Sequence, residues 1–319
     1  MFLNIFFSKN HSTISNFNMA KRKNLYLCGM KRVLLYATMA VMATSCSVKS
    51  SHQEVAELTP AQKNVEAMAN YWNKFNFTDT TWLKHDEELE KVFAIWVDGV
   101  LAAYYDCDTV LTSDIVDRAS VSKPMFKQFM HMADECFRNP MSPWRCEELY
   151  IPILEKAVKI EGIDYADKIR WEDRLEKAKM NRFNTIATDF DFITDEGKTS
   201  SLHSIGSQWI ILYFFNPGCH DCERVSNVIK DSPVVQALLD CNALTVVALY
   251  PDEDLSEWNK HSGEFPDEWI VARFAHESER DKYDLPAIPN LYLLDNDKRV
   301  VVKDGTIEDI LYLLENMWQ

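Results

Sequence analysis

Cys219 and Cys222 enclose His220 and Asp221 in a Cys-x-x-Cys pair. Two thiols at this spacing can exchange electrons with a disulfide, or they can supply half of a zinc site. Zinc needs a second Cys or His pair at suitable spacing, and none follows. No metal is therefore expected, and the redox reading leads. In that reading Cys219 is the attacking thiolate and Cys222 the resolving thiol of a mixed disulfide. A protonated His220 would stabilise the thiolate and Asp221 would oppose it. These opposed effects leave the direction of electron flow open. A merely exposed His220 is the plain alternative.

A dithiol of this kind needs a strand that hands over to a helix. Trp209 to Phe215 is an unbroken apolar and aromatic run, expected to be a strand buried on both faces. Asn216-Pro217-Gly218 breaks it with a turn signal. Glu223 to Leu239 is expected to continue as one helix. The first sulfur then lies near unpaired N–H groups at a helix N-terminus, which favour negative charge.

Strands and helices alternate on either side of this unit. Asp189 to Ile193 alternates as a strand, and Asp195-Glu196-Gly197-Lys198 turns it. Ala243 to Tyr250 is a second continuous apolar strand. Leu255–His261 reads as a helix, and the segment from there to Asp281 as irregular. Asn290–Asp295 and Arg299–Lys303 form a hairpin about Asn296-Asp297, and Thr306 to Met317 is a final amphipathic helix. Residues 184–319 are thus expected to form a mixed α/β sheet domain.

Upstream the periodicity is helical. Thr59-Pro60-Ala61-Gln62 supplies an N-cap, a proline at the first helical position and a glutamine at the third. Apolar residues then recur at helical spacing: Val65, Met68, Trp72 and Phe75; Leu89, Phe93, Trp96 and Val100; Phe126, Met130, Ala133 and Phe137; Leu149, Ile153 and Ala157. A charged helix from about Asp164 to Arg182 closes the region. Residues 57–183 are expected to be an all-helical domain. The aromatic residues Tyr71, Trp72, Trp96, Tyr104, Tyr105 and Trp144 are expected in its core rather than in a binding site. Cys107 and Cys241 read as small buried hydrophobes. Cys136 and Cys146 stand ten apart, and either pairing or a free buried state is open.

The first 45 residues read as an export address. Lys31-Arg32 precedes an apolar stretch, Val33 to Ala43, and Ala43-Thr44-Ser45-Cys46 ends it. This resembles a bacterial lipoprotein signal, which implies a lipid on Cys46; a plain secretory signal is the alternative. Residues 46–56 form a polar tether. The 319-residue chain has a net charge of −15. Its first 45 residues carry six Lys and Arg and no Asp or Glu, so the rest has 28 basic against 49 acidic side chains, a net −21. Such acidity argues against nucleic acid as a partner and against the body lying on an anionic membrane.

The order of elements in 184–319 resembles the thioredoxin fold, most closely the TlpA/ResA branch of exported thiol-disulfide oxidoreductases. Three stretches carry the likeness. Asp189-Phe190 with Asp195-Glu196-Gly197-Lys198 resembles the opening hairpin. Phe215-Asn216-Pro217-Gly218-Cys219-His220-Asp221-Cys222 resembles the active-site segment, and Ala287-Ile288-Pro289-Asn290-Leu291 resembles the segment holding a cis proline. The resemblance implies a cis Pro289 facing the dithiol, with the Ile288 backbone receiving substrate backbone. A thioredoxin-type buried carboxylate six residues before the first cysteine is absent, and this chain has Tyr213 there. The proton of Cys222 then requires another group, Asp221, Glu223 or water. Peroxiredoxins share the fold, but Asn216 stands where a threonine would precede a peroxidatic cysteine. The whole chain also resembles gut-bacterial lipoproteins with a helical domain of unknown function, through Asn139-Pro140, Glu147 to Pro152 and Asn181-Arg182.

The expectation is an exported, membrane-tethered thiol-disulfide oxidoreductase of the cell envelope, exposed to the periplasm. Its partners would be protein thiols and disulfides and an electron donor, with no cofactor beyond the redox-active disulfide. A non-catalytic binding or scaffold lipoprotein is the competing class.

Overall fold

The computed structural model describes residues 58–107 and 109–317. The expected signal at 1–45, Cys46 and the tether to 56 lie outside the described residues. The chain divides into two compact units between Leu175 and Glu176.

The first unit is helical. Its helices are α1 (Pro60–Asn70), α2 (Asp86–Cys107), α3 (Asp114–Ala119), α4 (Lys123–Phe137) and α5 (Glu147–Ala157), followed by most of α6 (Tyr165–Lys179). α1 opens with a complete capping box: Gln62 N donates to Thr59 Oγ1 at 3.2 Å, and Thr59 N to Gln62 Oε1 at 2.9 Å. Asp86, Glu87 and Glu88 occupy the first turn of α2, where the helix dipole favours negative charge. The core is aromatic. The Trp72 ring meets Phe129 at 5.3 Å in an edge-on arrangement, and Phe93 lies 5.1 Å from Trp96. Trp96, Tyr104, Tyr105 and Trp144 are buried as expected, and Tyr71 packs against them half-buried.

The second unit is built on a seven-stranded sheet in the order β2-β1-β5-β4-β3-β6-β7. Its strands are β1 (Asp191–Thr194), β2 (Thr199–Ser201), β3 (Trp209–Phe214), β4 (Leu244–Tyr250), β5 (Ile270–Phe274), β6 (Asn290–Leu294) and β7 (Val300–Lys303). β3, β4 and β5 run parallel, and the remaining pairs are antiparallel. Every residue of β3 is buried, which explains its uninterrupted apolar run. Alternation puts Leu212 and Phe214 in a cluster with Phe190, Tyr283 and Tyr292 on one face. Ile211, Tyr213 and Phe215 point to the other face.

Three expectations are corrected. The helix after the dithiol is two helices, α7 (His220–Asp231) and α8 (Pro233–Asp240). Pro233 has no N–H to donate, and Ser232 before it is extended at φ −77°, ψ 116°. The segment expected to be irregular after α9 (Leu255–His261) contains β5. That strand is short and carries Arg273, so its pattern is weak; pairing with β4 and β1 supplies its hydrogen bonds. Cys241 is exposed and Cys107 only half-buried, so neither is a core hydrophobe. α10 (Ile307–Met317) completes the unit and packs against α7 and α8. Among the described residues, no helix is long and apolar enough to cross a membrane.

Candidate active site

The turn between β3 and α7 sets the two sulfurs at different depths. Gly218 adopts φ +68°, a left-handed conformation that costs glycine little. Cys219 is then extended, at φ −84° and ψ 114°, and becomes the N-cap of α7. Its Sγ accepts the N–H of Cys222 at 3.4 Å, and its carbonyl accepts the N–H of Glu223 at 3.0 Å. One otherwise unpaired first-turn N–H of α7, that of Cys222, is thus aimed at the first sulfur. Asn216 anchors the preceding loop, donating from Nδ2 to Asp252 Oδ2 at 3.0 Å.

Cys219 is half-buried, whereas Cys222 lies beneath it at 3% exposure. Burial pushes the Cys222 thiol up to about 12, because a thiolate there loses its hydration. A backbone hydrogen bond at Asn216 and the Tyr213 hydroxyl pull the other way. Tyr213 is 1% exposed and donates to the Cys222 carbonyl at 2.7 Å. Its own phenol is raised by burial. His220 and Asp221 are exposed in the first turn.

The Ile288–Pro289 peptide is cis, and both residues are half-buried. Pro289 lies 70 positions from Cys219 in sequence, and strand pairing closes that gap. Asn290 at the start of β6 is opposite Phe214 at the end of β3. Pro289 therefore lies at the same end of the sheet from which the dithiol loop departs.

A cavity of about 290 Å³ opens beside the dithiol. Cys219, Cys222, Tyr213 and Ser226 line one side, and Phe265 and Glu264 lie across it. Ile288 and Pro289 are not among its lining residues. The Ser226 hydroxyl, one turn beyond Cys222, is buried without a hydrogen-bond partner. The far wall comes from the segment between α9 and β5. There Phe265 packs against Phe215 at 4.6 Å between ring centroids, and Lys230 Nζ stands 5.7 Å above the Phe265 ring.

The sequence pointed to the dithiol, its flanking pair and the proline as candidates, and gave no sign of the cavity wall or of the hydrogen bond from Tyr213. The Phe265 region carries no periodic signal. Tyr213 looked like another apolar strand residue, and only its place six residues before Cys219 marked it.

Residues 206–300 match a family model described as thioredoxin-like, and residues 58–181 match a domain of unknown function, DUF5106. Among solved structures, the chain is similar to a thioredoxin-like protein from Bacteroides caccae ATCC 43185. That likeness is 32% identical, covers 86% of this chain and 99% of that one, and has a TM-score of 0.77. It is also similar to the C-terminal domain of an uncharacterized protein from Bacteroides fragilis NCTC 9343, at 36% identity. There 42% of this chain and 98% of the other are covered, with a TM-score of 0.41. The thioredoxin domain of a thiol-disulfide oxidoreductase from Bacteroides vulgatus is 18% identical. That likeness covers 43% of this chain and 99% of the other, with a TM-score of 0.38. No curated protein matches the chain.

Proposed function

Because this chain belongs to the thioredoxin-like family and carries a DUF5106 domain ahead of its sheet domain, we propose that it is a thiol-disulfide oxidoreductase acting through Cys219 and Cys222. One observation carries this reading most. A half-buried sulfur caps a helix and receives its N–H, with a second sulfur buried one turn along.

The reaction has two steps. The Cys219 thiolate attacks a substrate disulfide; a Cys219–substrate disulfide forms, and the first substrate sulfur leaves as a thiolate and is protonated. Cys222 then attacks the Cys219 sulfur. The Cys219–Cys222 bond forms, the second substrate sulfur leaves, and the substrate has gained two electrons. A partner protein that donates electrons reduces the enzyme disulfide and closes the cycle.

Around this core, the Ile288 backbone beside cis Pro289 receives the substrate backbone. His220 and Asp221 tune the couple from its exposed rim. The protein is exported and held on the membrane by a lipid on Cys46, with its body in the periplasm. The likeness of residues 1–45 to an export signal supports this placement, and the net acidity of the rest argues against the body lying on an anionic membrane.

Insulin reduction under a thiol donor tests the central claim. Wild type should precipitate insulin well above background, and Cys219→Ser should fall to background. Equal rates in the two would remove the enzymatic reading and favour a scaffold role.

A further inference from the structure

Among the described residues, two polar atoms in the wall of the cavity beside the dithiol are buried without a partner. Ser226 is 6% exposed and lines the cavity, and its hydroxyl has no hydrogen-bond partner. Asn216 lines the cavity too, and its Oδ1 is buried and unpartnered. The amide is held in place, because its Nδ2 donates to Asp252 Oδ2 at 3.0 Å. Asn216 Oδ1 can only accept a hydrogen bond, whereas the Ser226 hydroxyl can donate or accept. A buried polar atom left unpaired is costly, so this pair calls for a guest that supplies the missing bonds.

The rest of the wall restricts that guest. Phe215 and Phe265 give it an aromatic side, and Phe265 is only half-buried, so part of its ring stays open. The charged groups at the far wall meet in both signs. His261 Nδ1 lies 2.8 Å from Glu264 Oε1, and Lys230 Nζ donates to the Glu264 carbonyl at 3.5 Å. A charged guest gains nothing from such a wall and loses its hydration, so a neutral one is favoured. At about 290 Å³ the cavity is at the small end of ligand pockets, which run to roughly 1,000 Å³. It has room for one large side chain and not for a cofactor.

We propose that this cavity is a specificity pocket for a tyrosine side chain next to the substrate cysteine whose disulfide Cys219 opens. This rests on the oxidoreductase reading of the same site. The ring packs against Phe215 and Phe265, and the phenol supplies a donor for Asn216 Oδ1 and an acceptor for the Ser226 hydroxyl. Phenylalanine or leucine would leave both atoms unpaired. Lysine or glutamate would bring an unmatched charge. Ile288 and Pro289 do not line the cavity, so the substrate backbone and this side chain are read in different places.

The test uses the reduced full chain and symmetrical disulfides of short blocked peptides. Each peptide has one cysteine flanked on both sides by tyrosine, or on both sides by phenylalanine. Release of peptide thiol is followed by chromatography, and each rate is divided by that of dithiothreitol with the same peptide to remove intrinsic reactivity. Wild type should reduce the tyrosine peptide about tenfold faster than the phenylalanine peptide, since the latter leaves buried polar atoms unpaired. Ser226→Ala should shrink that ratio to about twofold, with Asn216 Oδ1 still in place. A ratio within one protein is insensitive to how much of it folds, and the wild-type comparison needs no variant. Equal rates for the two peptides in wild type, or an undiminished ratio in Ser226→Ala, would overturn the inference and leave the oxidoreductase reading standing. A wild type that reduces neither peptide would overturn both.

Discussion

The two sulfurs of the dithiol differ because their surroundings differ. Cys219 caps a helix at the rim, while Cys222 is buried against Tyr213, and burial pushes its thiol up to about 12. An unfolded thiol titrates near ~8.5. A folded value above the unfolded one favours the protonated folded state. The stabilisation is therefore complete below about pH 8.5 and lost as pH rises towards the folded value. Reduced wild type should lose stability between about pH 8.5 and 10 faster than reduced Cys222→Ser. The difference should reach at most ~1.4 kcal/mol per pH unit. Buried Cys136, Tyr150 and Tyr283 add the same trend to both proteins, so only the difference in slope reports on Cys222. Denaturant midpoints across that range measure it, and parallel slopes would show that position 222 is not a buried thiol.

The handover from β3 to α7 depends on one left-handed residue. Gly218 holds φ +68°, and beyond its two chain neighbours no atom lies within 4 Å of where a Cβ would stand. Gly218→Ala therefore meets backbone strain and no clash, and should cost about 1–2 kcal/mol. Urea unfolding checks this, and an unchanged midpoint would mean that the turn relaxes. The buried strand and the turn were legible because apolar runs and Asn-Pro-Gly signals are local. The break at Ser232-Pro233 was legible in principle, since proline has no N–H, yet the amphipathic pattern ran on across it. β5 was not legible, because Ile270–Phe274 owes its form to β4 on one side and β1 on the other.

Two units with separate cores make up the described chain. A helical core of Trp72, Phe93, Trp96 and Phe129 stands in one, and a sheet flanked by helices in the other. The proposed lipid anchor would tie both to a membrane through the polar tether. Metabolic labelling with a fatty acid should mark wild type and leave Cys46→Ala unlabelled. Equal labelling would place the lipid elsewhere or remove it from the account.

Order along the chain was enough to read a helical domain, a mixed sheet domain and a dithiol at a strand–helix junction. Each rests on periodicity, turn chemistry or spacing within some 20 residues. What it could not reach was every relation across the sheet. Antiparallel pairing of β3 with β6 brings Pro289 to the end of the sheet where the dithiol lies, and the segment between α9 and β5 supplies the cavity wall. Tyr213 acquires its partner only when α7 folds back over β3. A phenol in an apolar run carries no mark of what its hydroxyl will meet, because that is fixed by packing between elements and not by the residues beside it.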